Sequence, residues 1–108
     1  MTSAEVAVHA ADDSARVIVR GEIDLANART VEEEIFAALT NKLSTVSVDL
    51  TGLTYVDSAG LRILFALAQR LELLQISLEL VVSADSVVRR VIELSGLTSL
   101  VPLRVKSA

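Results

Sequence analysis

A chain of 108 residues is long enough for one domain and too short for two of ordinary size. Hydrophobic residues make up 52% of it, which is sufficient for a packed core and argues against intrinsic disorder. A net charge of −4 and an aromatic content of 3% argue against a nucleic-acid-binding protein. With no cysteine and one histidine, His9, disulfides are excluded, and we expect neither a metal site nor a cofactor.

No segment of the sequence predicts membrane insertion. Residues 1–11 contain neither the basic region nor the long apolar run of a signal peptide. The longest fully apolar run covers residues 63–68, far short of the roughly 20 residues that a spanning helix needs. We therefore expect a cytoplasmic protein with no direct membrane insertion.

The first third of the chain predicts a hairpin followed by a helix. Strands are expected over residues 5–9 and 16–20, with a polar turn between them and Gly21 after the second. Asp24 is placed to cap the next helix, because its carboxylate can accept the free amide protons of a first turn. Apolar residues then recur at helical spacing at Ala28, Val31, Ile35, Ala38 and Leu39.

The remaining chain predicts strands over residues 45–50, 76–82 and 99–105, alternating with two more helices. Pro102 cannot donate to a strand ladder, so the last strand is expected at a sheet edge. The order β-β-α-β-α-β-α-β predicts an α/β fold, with a mixed sheet of about five strands. The strands also carry polar side chains at alternate positions, so we expect helices mainly on one face and solvent on the other. These polar residues are Thr45, Ser47, Asp49, Ser77 and Glu79.

Ser58 occupies the position best suited to carry a phosphate. It lies at the predicted start of the second helix, where unpaired amides and the helix dipole favour negative charge. Asp57 or Ser58 itself is suited to cap that helix, and the small residues Ala59 and Gly60 leave the hydroxyl open to a large partner. A helix start with no further role is the alternative. A catalytic serine is disfavoured because the sequence places no base beside it, and His9 belongs to the first strand.

The second helix is apolar on more than one side. A stripe comprising Leu61, Leu64, Phe65, Ala68 and Leu71 is expected to face the sheet. Ile63 and Leu67 fall outside that stripe, with Arg62 beside them. Either neighbouring helices cover these two side chains, or they form an exposed apolar patch for a protein partner. We predict the second arrangement.

Three motifs in this order resemble the STAS domain, and more closely the bacterial anti-sigma-factor antagonists. They are GEID at residues 21–24, DSAGL at residues 57–61 and LSGL at residues 94–97. The resemblance covers nearly the whole chain and implies a single STAS domain over residues 1–108. The sequence ends soon after the last predicted strand, where many members of the family carry a further helix.

The resemblance implies a regulatory protein without catalytic activity. Members of this family bind an anti-sigma factor that is also a serine kinase. This binding releases the sigma factor that the anti-sigma factor had held. The kinase then phosphorylates the motif serine, here Ser58, and a serine phosphatase reverses the modification. Asp24 and Asp57 match acidic positions that flank the phosphorylation site. The alternative is a STAS accessory subunit of a membrane transport complex, such as an ABC-type lipid transporter.

Overall fold

The computed structural model describes residues 2–40 and 42–107, and in them the strands and helices follow the predicted order. The strands are β1 (Ala4–Ala11), β2 (Ser14–Ile23), β3 (Thr45–Val56), β4 (Ser77–Ser83) and β5 (Leu103–Lys106). The helices are α1 (Ala28–Ala37), α2 (Ser58–Leu73) and α3 (Val87–Ser95), and a short 3₁₀ helix (Leu97–Ser99) follows α3.

The sheet has the order β1-β2-β3-β4-β5, with β1 antiparallel to β2 and every other pair parallel. Each parallel crossover steps in the same direction along the sheet. Because such crossovers are right-handed, α1, α2 and α3 lie on the same face. The α/β prediction with about five strands is confirmed, and so is the edge position of the last strand.

The core lies between this face and the helices. Val17, Val48 and Leu80 form one row across three adjacent strands, and each is at most 1% exposed. They share a single hydrophobic cluster with Ile35 of α1 and Leu71 of α2. The apolar residues alternate along the strands because successive side chains point to opposite faces of the sheet, and the helices cover only one of these faces.

The uncovered face is polar over the first half of the parallel strands. Ser47, on β3, donates a hydrogen bond to Glu79 of β4 at 3.4 Å, and Arg104 pairs with the same carboxylate at 3.4 Å. The Glu79 and Arg104 side chains are 39% and 65% exposed, as expected for a wet sheet face. Asp49 was also expected in solvent, but it is only 4% exposed, so that part of the prediction is wrong.

Asp49 is kept ionised by three hydrogen bonds. Arg16 donates to its Oδ2 atom at 2.8 Å, and the hydroxyl and amide of Thr51 donate to Oδ1 at 2.6 and 2.9 Å. Burial by itself raises the pKa of Asp49. The hydrogen bonds from Thr51 and Arg16 outweigh it and lower the pKa to about 2. These hydrogen bonds thus stabilise a charged side chain at a buried position that the alternation of polar residues predicted to be exposed.

This carboxylate should make the stability of the fold depend on acid. Its folded pKa lies below the ordinary value of 3.8, so its contribution is present above about pH 4 and is lost towards pH 2. We expect about 1–2 kcal/mol, because the half-exposed Arg16 is partly screened by water. Urea unfolding of wild type and Asp49→Asn between pH 2 and 6 measures this contribution to the free energy of unfolding, with Asp13→Asn as a control at an exposed position. A gap between wild type and Asp49→Asn that is independent of pH would contradict the prediction.

The strand boundaries differ most from those predicted at the end of β3 and at the start of β5. Strand β3 continues to Val56 instead of ending near Leu50, because pairing with β2 resumes after an irregularity that brings Gly52 opposite Arg20. At the other end of the chain, a 3₁₀ turn occupies residues 97–99, so β5 begins only at Leu103. The longer β3 carries the start of α2 out to the end of the sheet.

Candidate functional site

The site lies where β2 and β3 end, because parallel strands deliver their carboxyl ends to the same edge of a sheet. Strand β2 ends at Ile23 and β3 at Val56, and Asp24 and Asp57 follow directly. The amide of Asp57 donates to the Ile23 carbonyl at 3.3 Å, which joins the two chain segments. Two of the motifs seen in the sequence therefore meet in space.

Asp57 caps helix α2, as the sequence predicts. Its Oδ1 atom accepts hydrogen bonds from the amides of Ala59 at 2.9 Å and Gly60 at 3.3 Å. Ser58 is the first helical residue and is exposed. Within the described residues, the Ser58 hydroxyl takes part in no hydrogen bond. The cap thus fixes the backbone beneath a serine whose side chain is free.

Gly60 has a different role from the one predicted, since it is buried and not part of an open surface. A Cβ atom at this position would lie 2.3 Å from Cγ2 of Val56 and 3.2 Å from Cγ2 of Ile23. The absence of a side chain therefore allows α2 to start against the ends of both strands. Gly60 positions Ser58 from within the fold.

Gly60→Ala should consequently destabilise the domain. The added methyl group overlaps a β-branched side chain that has little freedom to move, and such overpacking typically costs about 1–3 kcal/mol. Chemical denaturation measures the change. Ala59→Gly provides a contrasting substitution in the same turn, and we expect it to cost less. Unaltered stability of Gly60→Ala would show that the helix start is not tightly packed.

Asp24 does not cap α1, contrary to the prediction. The helix begins at Ala28, and a turn over residues 24–27 precedes it. The Asp24 carboxylate accepts hydrogen bonds from the Thr2 hydroxyl at 2.6 Å and the Ala26 amide at 2.8 Å. These two bonds, led by that from Thr2, lower the pKa of Asp24. Asp24 therefore organises the turn between β2 and α1.

A groove of about 270 Å³ separates the first turns of α1 and α2. Ser58 opens into it, and Leu25, which is 84% exposed, stands at its wall. The charged side chains lining the groove come from both helices: Arg29, Glu32 and Arg62. Ser58, Ala59 and Arg62 thus line one concave surface, which combines an apolar side chain with charges of both signs.

The predicted exposure of Ile63 and Leu67 is wrong. They are 3% and 0% exposed, and Ile63 contributes only to the floor of the groove. Helix α1 packs beside α2, and Arg70 stacks over the ring of Phe36 with its guanidinium carbon 5.1 Å from the ring centroid. Both residues belong to the buried side of α2, together with Leu64, Ala68 and Leu71, whereas Leu61 and Phe65 of the predicted stripe are only partly buried. Neither side chain is available to a partner.

Leu25 is the groove residue that sequence reasoning missed. A helix capped by Asp24 would have begun at Leu25. Because α1 begins three residues later than expected from an Asp24 cap, Leu25 lies on the preceding turn and projects outwards. In the sequence, Leu25 directly follows Asp24, a residue type that favours both turns and helix caps. This pattern does not show whether Leu25 lies in the turn or in the helix.

The LSGL motif has a structural role at the end of α3. Gly96 adopts a left-handed conformation with φ of 86°, which terminates the helix. The Ser95 hydroxyl donates to the Ile92 carbonyl at 2.6 Å and accepts from the Leu97 amide at 3.2 Å. Leu97 is then completely buried. The motif therefore stabilises the turn that leads to β5.

A larger concavity, of about 500 Å³, lies at the opposite end of the sheet. Its charged residues Arg16 and Glu79 are already paired with Asp49 and Arg104. Across residues 2–40 and 42–107, no group of three or more acidic or histidine side chains is arranged to hold a metal ion. None of the helices in that part of the chain is long and apolar enough to cross a membrane.

The fold and the groove define a small α/β domain that presents an exposed serine on a capped helix. The STAS domain profile matches residues 6–108. The chain belongs to the STAS domain family. It is 36% identical over 86 residues to BtrV of Bordetella bronchiseptica, a candidate anti-sigma factor antagonist, and the alignment covers 79% of this chain and 72% of BtrV.

Solved structures lead to the same class. An anti-sigma factor antagonist from Mycobacterium paratuberculosis has a TM-score of 0.83 at 30% identity, covering 94% of this chain and 86% of its own. The antagonist SpoIIAA in its unphosphorylated form has a TM-score of 0.74 at 19% identity, covering 96% and 88%. SpoIIAA thus shares the fold, and the predicted resemblance to anti-sigma-factor antagonists is confirmed.

Proposed function

We propose that this protein is an anti-sigma-factor antagonist controlled by phosphorylation of Ser58. It binds an anti-sigma factor that is also a serine kinase, and binding releases a sigma factor. Phosphorylation of Ser58 ends the interaction, and a serine phosphatase restores it. In this proposal the domain acts by binding and is the kinase's substrate, not an enzyme.

The observation that carries the proposal is the position of Ser58 in the groove. Its hydroxyl is exposed on a backbone held by Asp57, beside the exposed side chain of Leu25. Docking a partner here would place the serine inside the interface. Similarity supports the same conclusion, because SpoIIAA is known in both an unphosphorylated and a phosphorylated form.

The competing hydroxyls are less suitable as phosphate acceptors. Thr51 donates its hydroxyl proton to Asp49, Thr54 to the Gly21 carbonyl at 3.0 Å, and Ser95 to the Ile92 carbonyl. A kinase would have to break these bonds before transfer. Ser58 requires no such change, which is why we expect it to be the main phosphorylation site.

The test begins with the protein that co-purifies with this one from its native host. If that protein is a kinase, incubation with ATP should place one phosphate on Ser58, as identified by mass spectrometry. Ser58→Ala should remove the phosphate, whereas Thr54→Ala, a nearby exposed control, should retain it. Phosphate at the wild-type level on Ser58→Ala would overturn the site. Co-purification with a transporter ATPase would favour the accessory-subunit alternative instead.

A further inference from the structure

The two edges of the sheet differ in how well they are protected against pairing with another strand. Strand β5 is short, follows Pro102, and carries Arg104 and Lys106, which are features that discourage edge-to-edge association. Strand β1 has eight residues and, among residues 2–40 and 42–107, pairs with no strand other than β2. Its sequence, AEVAVHAA, contains no proline, lysine or arginine. The free side of β1 therefore offers a long row of backbone donors and acceptors.

The sequence of β1 is complementary to itself in the antiparallel direction. If two copies pair about a two-fold axis at Ala7, Glu5 of each copy lies opposite His9 of the other, and Val6 lies opposite Val8. On the free side of β1, the backbone N–H and C=O groups of every second residue point away from β2. With the two-fold axis at Ala7, these groups find partners in the second copy, whichever of the two alternate sets of residues they belong to. The chain's own edge thus provides both the strand and the side-chain pairs for a partner.

The charges on the neighbouring strand reinforce this register. On β2, Arg20 lies beside Glu5 and Arg16 beside His9. Pairing would place each Glu5 carboxylate between Arg20 and the imidazole of the second copy, which has an N–H to donate in either protonation state. Val8, which is 39% exposed, would gain an apolar neighbour across the strands.

The geometry keeps this edge separate from the Ser58 groove. Strand β1 starts where β2 ends, since Ala4 pairs with Gly21, so an antiparallel partner runs the other way. The two grooves would then lie at opposite ends of a continuous ten-stranded sheet. The interaction is consequently independent of the function proposed above.

We infer that β1 is a homodimer interface, in which two copies of this chain join their sheets antiparallel about Ala7. The test is sedimentation equilibrium of the full chain over micromolar to millimolar concentrations, with circular dichroism to show that each variant is folded. Wild type should reach a dimer. His9→Glu places like charges opposite each other twice and should raise the dimer dissociation constant about tenfold or more.

A charge swap makes the test specific for this register. The double variant Glu5→Lys with His9→Glu restores opposite charges at both positions, so it should dimerise again. Lys106→Glu, on the other edge, is the control and should behave as wild type. Wild type that stays monomeric at about 1 mM, His9→Glu that dimerises as well as wild type, or a double variant that stays monomeric would each overturn the inference.

Discussion

Phosphorylation of Ser58 should weaken binding of the anti-sigma partner by roughly 30- to several-thousand-fold. The modification adds about 1.5 to 2 negative charges at pH 7. The amides that would otherwise favour this charge at the start of α2, those of Ala59 and Gly60, already donate to Asp57. In a docked complex these two amides would therefore not be free to donate to the phosphate as it loses water.

The size of the effect follows from the cost of a poorly paired charge in an interface. That cost is typically about 2–5 kcal/mol, and about 1.4 kcal/mol corresponds to a tenfold change in affinity. In the unbound domain the phosphate remains in water, in a groove lined by Arg29, Arg62 and Glu32, and Asp57 precedes it in the chain. These opposing charges nearly offset each other, so the stability of the domain should change little.

Three measurements on phosphorylated and unmodified protein check this mechanism. Calorimetric titration with the partner should show the loss of affinity, thermal melting should show little change, and backbone NMR shifts should change only near the groove. Ser58→Ala protein treated with the same kinase is the control and should bind like the unmodified protein. Equal affinities for the two forms, or shift changes across the whole sheet, would exclude a local electrostatic and steric switch.

Leu25→Asp should reduce partner affinity by about 30-fold or more while leaving the fold intact. An apolar side chain that a partner buries at the centre of an interface commonly contributes about 2 kcal/mol or more. Leu25 is 84% exposed, so its substitution should alter the free energy of unfolding by no more than about 0.5 kcal/mol. The effect should therefore appear in binding and not in stability.

Leu73→Asp is a matched control for this substitution. Leu73 is 83% exposed and lies at the far end of α2, away from the groove. Its substitution by Asp therefore introduces the same charge at nearly the same exposure as Leu25→Asp. Titration of both variants with the partner, alongside their melting curves, separates the two effects. A similar affinity for Leu25→Asp and wild type would place the partner elsewhere, and a similar loss for both variants would indicate a general effect of charge.

The class of fold and the position of the serine at a helix start could both be predicted from local sequence patterns. Strand and helix periods differ, so alternation and helical spacing identified the elements and their order. The helix start at Asp57 was predictable because capping depends on a few adjacent residues, and Gly96 ended α3 for the same local reason.

The exposure of individual side chains, in contrast, could not be predicted from local patterns. Ile63 and Leu67 are apolar in either arrangement, and the orientation of α2 against the core is what buries them. The alternation along β3 predicted that Asp49 is exposed, but it is buried, and Arg16 from the neighbouring strand pairs with its charge. Leu25 became exposed because α1 begins late. Exposure depends on contacts between residues distant in sequence, which a local pattern does not encode.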